Sequence, residues 1–188
     1  STVGGFTAVG YFFARDIFQK LGVPVGLIHS SVGGTPVEAW MSPAALASDP
    51  AFKVVGGRWA QTLADFPEKK SAFDAALAAW TGADATSTAQ GAAAHAAWLK
   101  KNPRPRPPRG PGDTWTPGGL FNAMINPLLP YALRGALWYQ GESNADHAGE
   151  YRALFAAMIT AWRSHFGQGD FPFYWVNLAN YKAPSDPT

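Results

Sequence analysis

The chain contains no cysteine among its 188 residues. Disulfide bonds, thiol catalysis and cysteine-ligated metals are therefore excluded for this sequence. It also lacks an apolar run of the roughly 20 residues that span a bilayer, so no membrane segment is expected. The chain also has no large excess of charge of one sign, since it contains 15 Lys and Arg and 13 Asp and Glu. That balance does not predict nucleic-acid binding.

Apolar residues, by contrast, are plentiful at 47% of the chain, which is enough for one domain with a packed core. Aromatic residues reach 14%, including eight Trp. Core filling is the favoured interpretation of these rings, and surfaces that stack on sugars are the alternative. The first residues, 1–5, do not resemble a signal peptide and include no initiator Met. We therefore expect this sequence to be an interior part of a longer chain.

Apolar periodicity predicts alternating helices and strands. The first helix carries one apolar stripe, made of Phe6, Val9, Phe13, Ile17 and Leu21. Gly22 is a suitable residue to end it. A later stripe from Tyr151 to Phe166, closed by Gly167, predicts the clearest helix. Short apolar runs predict buried strands at 25–29, 136–139 and 173–178. This order indicates an α/β fold with a parallel sheet covered on both faces.

The segment 50–116 differs from the rest and is interpreted as an insertion within one domain. Residues 50–102 are rich in Ala and predict two or three helices, with a break near 81–84. Residues 101–111 contain repeated Pro, which blocks helix and keeps the chain extended. A ligand for a proline-binding module is one interpretation of this stretch. A stiff connector that returns the chain from the insertion is favoured.

Polar loops follow the predicted strands, at the edge where open parallel sheets bind ligands. In the loop 31–35, Gly33 and Gly34 allow close approach, and their amides can donate to an oxyanion, although a structural turn is the alternative. In the loop 140–144, Gln140 offers a neutral amide donor. Glu142 in the same loop has two interpretations. It is an acid, a base or an orienting group of a site, or it is a structural carboxylate that interacts with the backbone amides of the nearby helix. The third strand end carries two further amides, those of Asn177 and Asn180.

A different nucleophile is also conceivable. Residues 141–145 lie between a strand and a helix and resemble the nucleophile elbow G-x-S-x-G, with Ala in the last position. Ser143 would then attack, with His165 or His147 as its base. His165 falls in the last helical turn, where histidine commonly interacts with the helix terminus, and His147 is too near in sequence. No His pair has metal-ligand spacing, so no metal or cofactor is predicted.

Two segments resemble a known family. The letters G-G-T-P-V-E-A-W at 33–40 resemble the G-G-T-x-x-E-x-W segment of sialate O-acetylesterases, which belong to the SGNH hydrolase superfamily. The letters W-Y-Q-G-E-S-N at 138–144 are similar to a second segment of that family. The resemblance covers about residues 5–45 and 117–181, and the insertion adds little to it.

The resemblance implies a three-layer α/β/α fold and a Ser-His-Asp machinery that removes acetyl groups from sugars such as sialic acids or xylan units. It implies that Gly34 supplies a backbone oxyanion donor, that Gln140 supplies a side-chain donor and that Glu142 supports the site. Ser143 would be a neighbour within the motif and not the nucleophile. The implied substrate-binding residues are Gly33, Thr35 and Asn144.

The sequence departs from the family at two points. It contains no G-Q-S-N-M motif for the nucleophile, and no Asp is followed three residues later by His. We therefore expect 1–188 to be a partial SGNH domain, incomplete at both ends and inactive alone, with an acetylated sugar as substrate. A piece of a larger assembly, a lineage that has lost activity and a non-catalytic carbohydrate-binding module are the alternatives. The family suggests a secreted or periplasmic location.

Overall fold

The computed structural model describes residues 4–179. The helices and strands are α1 Ala8–Leu21, α2 Pro43–Ala47, α3 Lys53–Ala89, α4 Ala92–Lys101, β1 Ala136–Trp138, α5 Ala148–Phe166 and β2 Phe173–Trp175. Short 3-10 turns cover Val37–Trp40, Pro50–Phe52, Asn126–Leu128 and Glu142–His147, and a π turn covers Phe121–Ile125. The chain is thus α/β, as predicted, and it is mostly helical with a small parallel sheet. Across 4–179, no helix combines the length and apolarity needed to cross a membrane.

The sheet consists of β1 and β2, which pair in parallel with Ala136 opposite Phe173 and Trp138 opposite Trp175. This confirms the strands predicted at 136–139 and 173–178, although both end earlier than expected. Helix α5 connects them, as a crossover between parallel strands requires. The carboxyl ends of both strands therefore lie at one edge, beside the loop 140–144.

The prediction of a strand at 25–29 is wrong. This segment has no regular structure, and Leu27 and Ile28 are 37% and 52% exposed. A strand needs the backbone of a neighbour for its hydrogen bonds. Within 4–179 no segment pairs with 25–29, and an apolar run by itself does not supply that partner.

Helix α1 ends before Gly22, as predicted, but it begins at Ala8, after the predicted stripe residue Phe6. The Thr7 hydroxyl accepts a hydrogen bond from the Gly10 amide (3.3 Å), and Gly22 adopts a left-handed φ of 67°. Its apolar stripe, however, stays largely uncovered, because Phe13 is 41% and Leu21 is 65% exposed. The periodicity identified the helix correctly, but no described residues bury that face.

The segment 50–116 contains a helical hairpin of α3 and α4. The break predicted at 81–84 is wrong, since α3 continues through Pro67 and this segment to Ala89. The Thr81 hydroxyl donates to the Leu77 carbonyl (2.8 Å), as a hydroxyl within a helix can. The chain reverses at Gly91, whose φ is 100°. Residues 103–110 contain no helix, as the repeated Pro predicted.

An ion pair joins α3 to α5. Arg58 donates from its two terminal nitrogens to the two carboxylate oxygens of Glu150, each over 2.8 Å. Both side chains are about one third exposed. These hydrogen bonds lower the pKa of Glu150, and the pairing raises that of Arg58.

The core lies between the sheet, α5 and the Val37–Trp40 turn. The Trp138 ring lies 5.8 Å from Trp162, 6.0 Å from Trp40 and 6.3 Å from Phe173, measured between centroids. The indole of Trp162 also donates to the Trp40 carbonyl (2.9 Å). These buried rings support core filling, whereas Trp175 is 56% exposed. The packing places the start of the Val37–Trp40 turn next to the end of β1.

Candidate functional site

The two loops singled out in the sequence meet in the structure. Gln140, just after β1, donates from Nε2 to the Thr35 carbonyl over 3.0 Å, across 105 residues of sequence. Thr35 is itself fixed, because its hydroxyl donates to the Val32 carbonyl (2.7 Å) and accepts from the Trp40 indole (3.0 Å). The structure therefore brings together the segments 31–35 and 140–144.

Asn144 is the buried centre of this contact. Its Oδ1 accepts from the Val37 amide (2.9 Å) and from Gln140 Nε2 (2.7 Å). Its Nδ2 donates to the buried Glu38 carboxylate (2.8 Å). Only one orientation of the amide satisfies both donors and the carboxylate. With 3% of its surface exposed, Asn144 lies inside the protein as a link between the two loops.

The Gln140 side chain is held at both ends. Its Oε1 accepts from the Tyr151 hydroxyl over 3.0 Å, and burial raises the pKa of that phenol. Its Nε2 faces two acceptors, the Thr35 carbonyl and Asn144 Oδ1. Because an amide nitrogen carries two hydrogens, both are already used. To donate to an oxyanion, Gln140 would have to redirect or share one of these hydrogens. The hydrogen on the longer bond, to the Thr35 carbonyl, is the easier one to release.

The Gly33–Gly34 segment is exposed beside this network. Gly34 has a φ of 72°, which a residue with a side chain rarely adopts. Its carbonyl accepts from the Trp115 indole over 2.7 Å. Within 4–179 no acceptor is bonded to the Gly34 amide. The loop thus presents a backbone donor whose carbonyl side is anchored.

The other residues predicted to be functional lie outside this hydrogen-bonded network. Glu142 is exposed at the start of a 3-10 turn, and no hydrogen bond to its carboxylate is formed by the described chain. Ser143 is half-buried, and nowhere in 4–179 does a histidine bond to its hydroxyl. His165 packs against Phe121 with centroids 5.1 Å apart, and His147 precedes α5. The elbow interpretation therefore lacks a base in this part of the chain.

A shallow cleft of about 250 Å³ opens at the carboxyl ends of the two strands. Gln140 and Tyr151 line one side, and Trp175 and Leu178 line another. Its position agrees with the rule for ligand sites in parallel sheets. Asn177 also lines it, whereas Asn180 lies outside the described residues.

Two contacts of the site were not predicted from the sequence. The Ser31 hydroxyl lies 2.6 Å from His29 Nε2, which two-residue spacing in an extended segment could have suggested. The other is the stacking of the Arg109 guanidinium on Trp115, with Cζ 3.2 Å from the ring centroid. Desolvation lowers the pKa of Arg109 while Asp113 opposes this, and the group stays charged. No local pattern ties this pair to Gly34.

Comparison with known proteins identifies the family of the chain. A sequence model of the family described as "Carbohydrate esterase, sialic acid-specific acetylesterase" matches residues 86–187. The sialate O-acetylesterase of Rattus norvegicus is 34% identical over 189 residues, covering 95% of this chain and 31% of that protein. The sialate O-acetylesterase of Homo sapiens is 30% identical over 182 residues, covering 93% of this chain and 25% of that protein.

The chain thus spans between a quarter and a third of the length of these relatives. Both similarities extend over more than nine tenths of the chain, so they include the 31–35 and 140–144 loops and the segment 50–116 between them. The network of Thr35, Gln140 and Asn144 therefore belongs to a region that these proteins share. This chain is a member of the carbohydrate esterase, sialic acid-specific acetylesterase family.

Proposed function

We propose that the chain forms part of a carbohydrate O-acetylesterase, which hydrolyses acetyl esters on the hydroxyl groups of sugars such as sialic acids. The reaction would transfer the acetyl group to a serine and then to water, with histidine as general base. The serine and the Asp-His pair would come from other segments of the same domain. The observation that carries this proposal is the contact between Gln140 Nε2 and the Thr35 carbonyl, which assembles the two loops where an oxyanion would be received.

The proposed contribution of this chain is the stabilisation of that oxyanion. The Gly34 amide is the backbone donor, since it is exposed and its carbonyl is held by Trp115. Gln140 is the side-chain donor, through the hydrogen that now faces the Thr35 carbonyl. In this proposal Glu142 and Gly33 support the site from their loops. Donors that are fixed before the reaction need little reorganisation as charge develops.

We further propose that the rest of the domain completes a three-layer α/β/α arrangement, with 50–116 as an insertion. The exposed apolar residues of α1, together with Leu27 and Ile28, support this. Apolar patches of this kind usually mark a surface that another element covers. A strand added beside 25–29 would give that segment the partner it lacks within 4–179.

The test compares two variants of the complete enzyme on an aryl acetate. Gln140→Ala removes the proposed donor and should lower kcat by about 100- to 1,000-fold with KM nearly unchanged. Tyr151→Phe removes only the hydroxyl that orients Gln140 Oε1, and it should cost less than about 10-fold. Near-normal turnover in Gln140→Ala would reject Gln140 as a donor. Equal losses of kcat in both variants would show that the effect comes from disturbing the Gln140–Tyr151 contact, and not from losing an oxyanion donor.

A second candidate is a hydrolase whose nucleophile lies within this chain. The 2.6 Å contact between Ser31 and His29 favours it, and Ser143 is the nucleophile that the elbow motif suggested. A serine-reactive phosphonate applied to the 188-residue chain separates the two candidates. Our proposal expects no adduct. A stoichiometric adduct that is lost in Ser31→Ala or in Ser143→Ala would establish the second candidate instead.

A further inference from the structure

Glu38 is a buried carboxylate at the meeting point of the two loops. It lies in the Val37–Trp40 turn and is 9% exposed. Its Oε2 accepts a hydrogen bond from Asn144 Nδ2 over 2.8 Å, across 106 residues of sequence. Burial of a charged group costs free energy unless the group is hydrogen-bonded. The bond to Asn144 offsets part of that cost, and it leads directly to the proposed oxyanion donor.

Two side-chain amides connect Glu38 to the Tyr151 hydroxyl in one series of hydrogen bonds. Asn144 donates from Nδ2 to Glu38 and accepts at Oδ1 from Gln140 Nε2 (2.7 Å). Gln140 accepts at Oε1 from the Tyr151 hydroxyl (3.0 Å). Every donor in the series points towards Glu38. The series ends there, because an ionised carboxylate accepts hydrogen bonds and does not donate them.

The carboxylate at the end of the series decides how the amides are turned. The oxygen and the nitrogen of an amide exchange places when the group rotates by half a turn, and its shape hardly changes. A rotated Asn144 would set its oxygen against the carboxylate, and its nitrogen against the Val37 amide and Gln140 Nε2. Three hydrogen bonds would be lost in that arrangement. Glu38 and the Val37 amide therefore fix Asn144, and Asn144 fixes Gln140.

Contacts from two other segments support Glu38 in this place. The hydrogen bonds to Glu150 raise the pKa of Arg58, and the charge of Glu38 adds to that rise. The guanidinium of α3 is thus within electrostatic reach of the Glu38 carboxylate. The Glu38 carbonyl also accepts from the Gly118 amide over 2.9 Å. The charge of the side chain is therefore partly compensated, and the backbone that carries it is held.

We infer that Glu38 is a positioning residue for the proposed oxyanion donor, because its Oε2 fixes the Asn144 amide and that amide holds Gln140 Nε2 at the site. This inference rests on the proposed function and adds a residue to it. Glu38 does not touch the ester, so it acts on the placement of a hydrogen and not on a proton transfer. Loss of that placement should lower kcat about 10- to 100-fold and leave KM nearly unchanged.

Two conservative variants of the complete enzyme separate the reach of Glu38 from its charge. Glu38→Gln keeps an acceptor oxygen at the same distance from Asn144 and removes the charge, so kcat should stay near normal. Glu38→Asp keeps the charge and withdraws it by one methylene, so kcat should fall about 10- to 100-fold. Aryl acetate rates are divided by the sites that a serine-reactive phosphonate titrates, which corrects for any loss of folded enzyme. A large loss in Glu38→Gln, or an unchanged Glu38→Asp, would overturn the inference.

A double-mutant cycle shows whether Glu38 acts through Gln140. In the Gln140→Ala background, Glu38→Asp should cause little further loss of kcat, because the group that it positions is already absent. Full additivity of the two losses refutes the inference. If Glu38→Asp yields no titratable sites, Glu38→Met replaces it in both experiments with the same expected losses, since Met keeps the length of the side chain and removes the acceptor.

The failure of this inference is distinguishable from the failure of the proposed function. Near-normal turnover in Gln140→Ala rejects the oxyanion donor, and the positioning role is rejected with it. A slow Gln140→Ala beside a fully active Glu38→Asp rejects only the positioning role.

Discussion

Asn144→Ala should destabilise the protein more than any comparable amide substitution at the surface. The variant removes the donor to the buried Glu38 carboxylate and the acceptor shared by the Val37 amide and Gln140 Nε2. Loss of the bond to the charged group costs about 1.5–3 kcal/mol, and each neutral bond costs about 1 kcal/mol. The sum is about 4 kcal/mol, a large fraction of the stability of a typical domain.

Urea unfolding followed by tryptophan fluorescence measures this loss, and thermal unfolding should show a Tm lower by about 8 to 16 °C. Asn122→Ala is the matched control, because Asn122 is exposed and such changes usually stay within about 0.5 kcal/mol. If Asn144→Ala loses less than about 1 kcal/mol, Asn144 is not the link between the loops and the reasoning is refuted.

Asn144→Asp tests the same contact through its pH dependence. The new oxygen would face Glu38 Oε2, at the position where Nδ2 now lies 2.8 Å away. Two carboxylates at this distance must share a proton, so the pKa of the introduced group rises in the folded state. The stability of this variant is therefore retained below the unfolded pKa of about 4 and lost as pH rises through the folded pKa. A deficit relative to the parent that does not grow with pH would contradict the contact.

Two further predictions concern the ion pair and the glycine loop. Glu150→Gln should lower the free energy of unfolding by about 1 kcal/mol at pH 7. Arg58 lowers the pKa of Glu150 from its usual 4.5, so the loss of stability in Glu150→Gln should disappear as pH falls through the pKa of Glu150 in the folded protein. The control Asp74→Asn, at the surface, should show little effect in the same urea titrations. Gly34→Ala should cost about 1–2 kcal/mol because of its positive φ. Gly33→Ala, equally open but without a positive φ, should cost much less, and equal losses would show that backbone conformation is not the cause.

The local elements were readable from the sequence because their causes are local. The left-handed Gly22 and Gly167 and the buried stripe of α5 each depend on residues within a few positions. The two loop motifs were found in the same way, as polar groups that follow apolar runs. Their meeting was expected from the rule for parallel strands, but residues 25–29 before the loop 31–35 form no strand, so contacts such as that of Gln140 with Thr35 hold the loops together instead.

The two failures, at 25–29 and at 81–84, had different causes. Residues 25–29 have the composition of a strand, but no described backbone pairs with them, so they stay irregular and exposed. The predicted break at 81–84 weighed local helix breakers too heavily, since α3 continues to Ala89. Composition indicates what a segment can form, and its neighbours decide whether it does.

The sequence by itself determined the family motifs, the capped helices and the absence of cysteine chemistry. Tertiary structure alone decided that Asn144 is a buried link, that both Gln140 hydrogens are engaged and that Arg109 and Trp115 lie beside Gly34. Hydrogen bonds between residues 81 to 107 positions apart leave no periodic signal in the sequence. Only the packing of the strands, α5 and the segment 50–116 brings those groups within bonding distance.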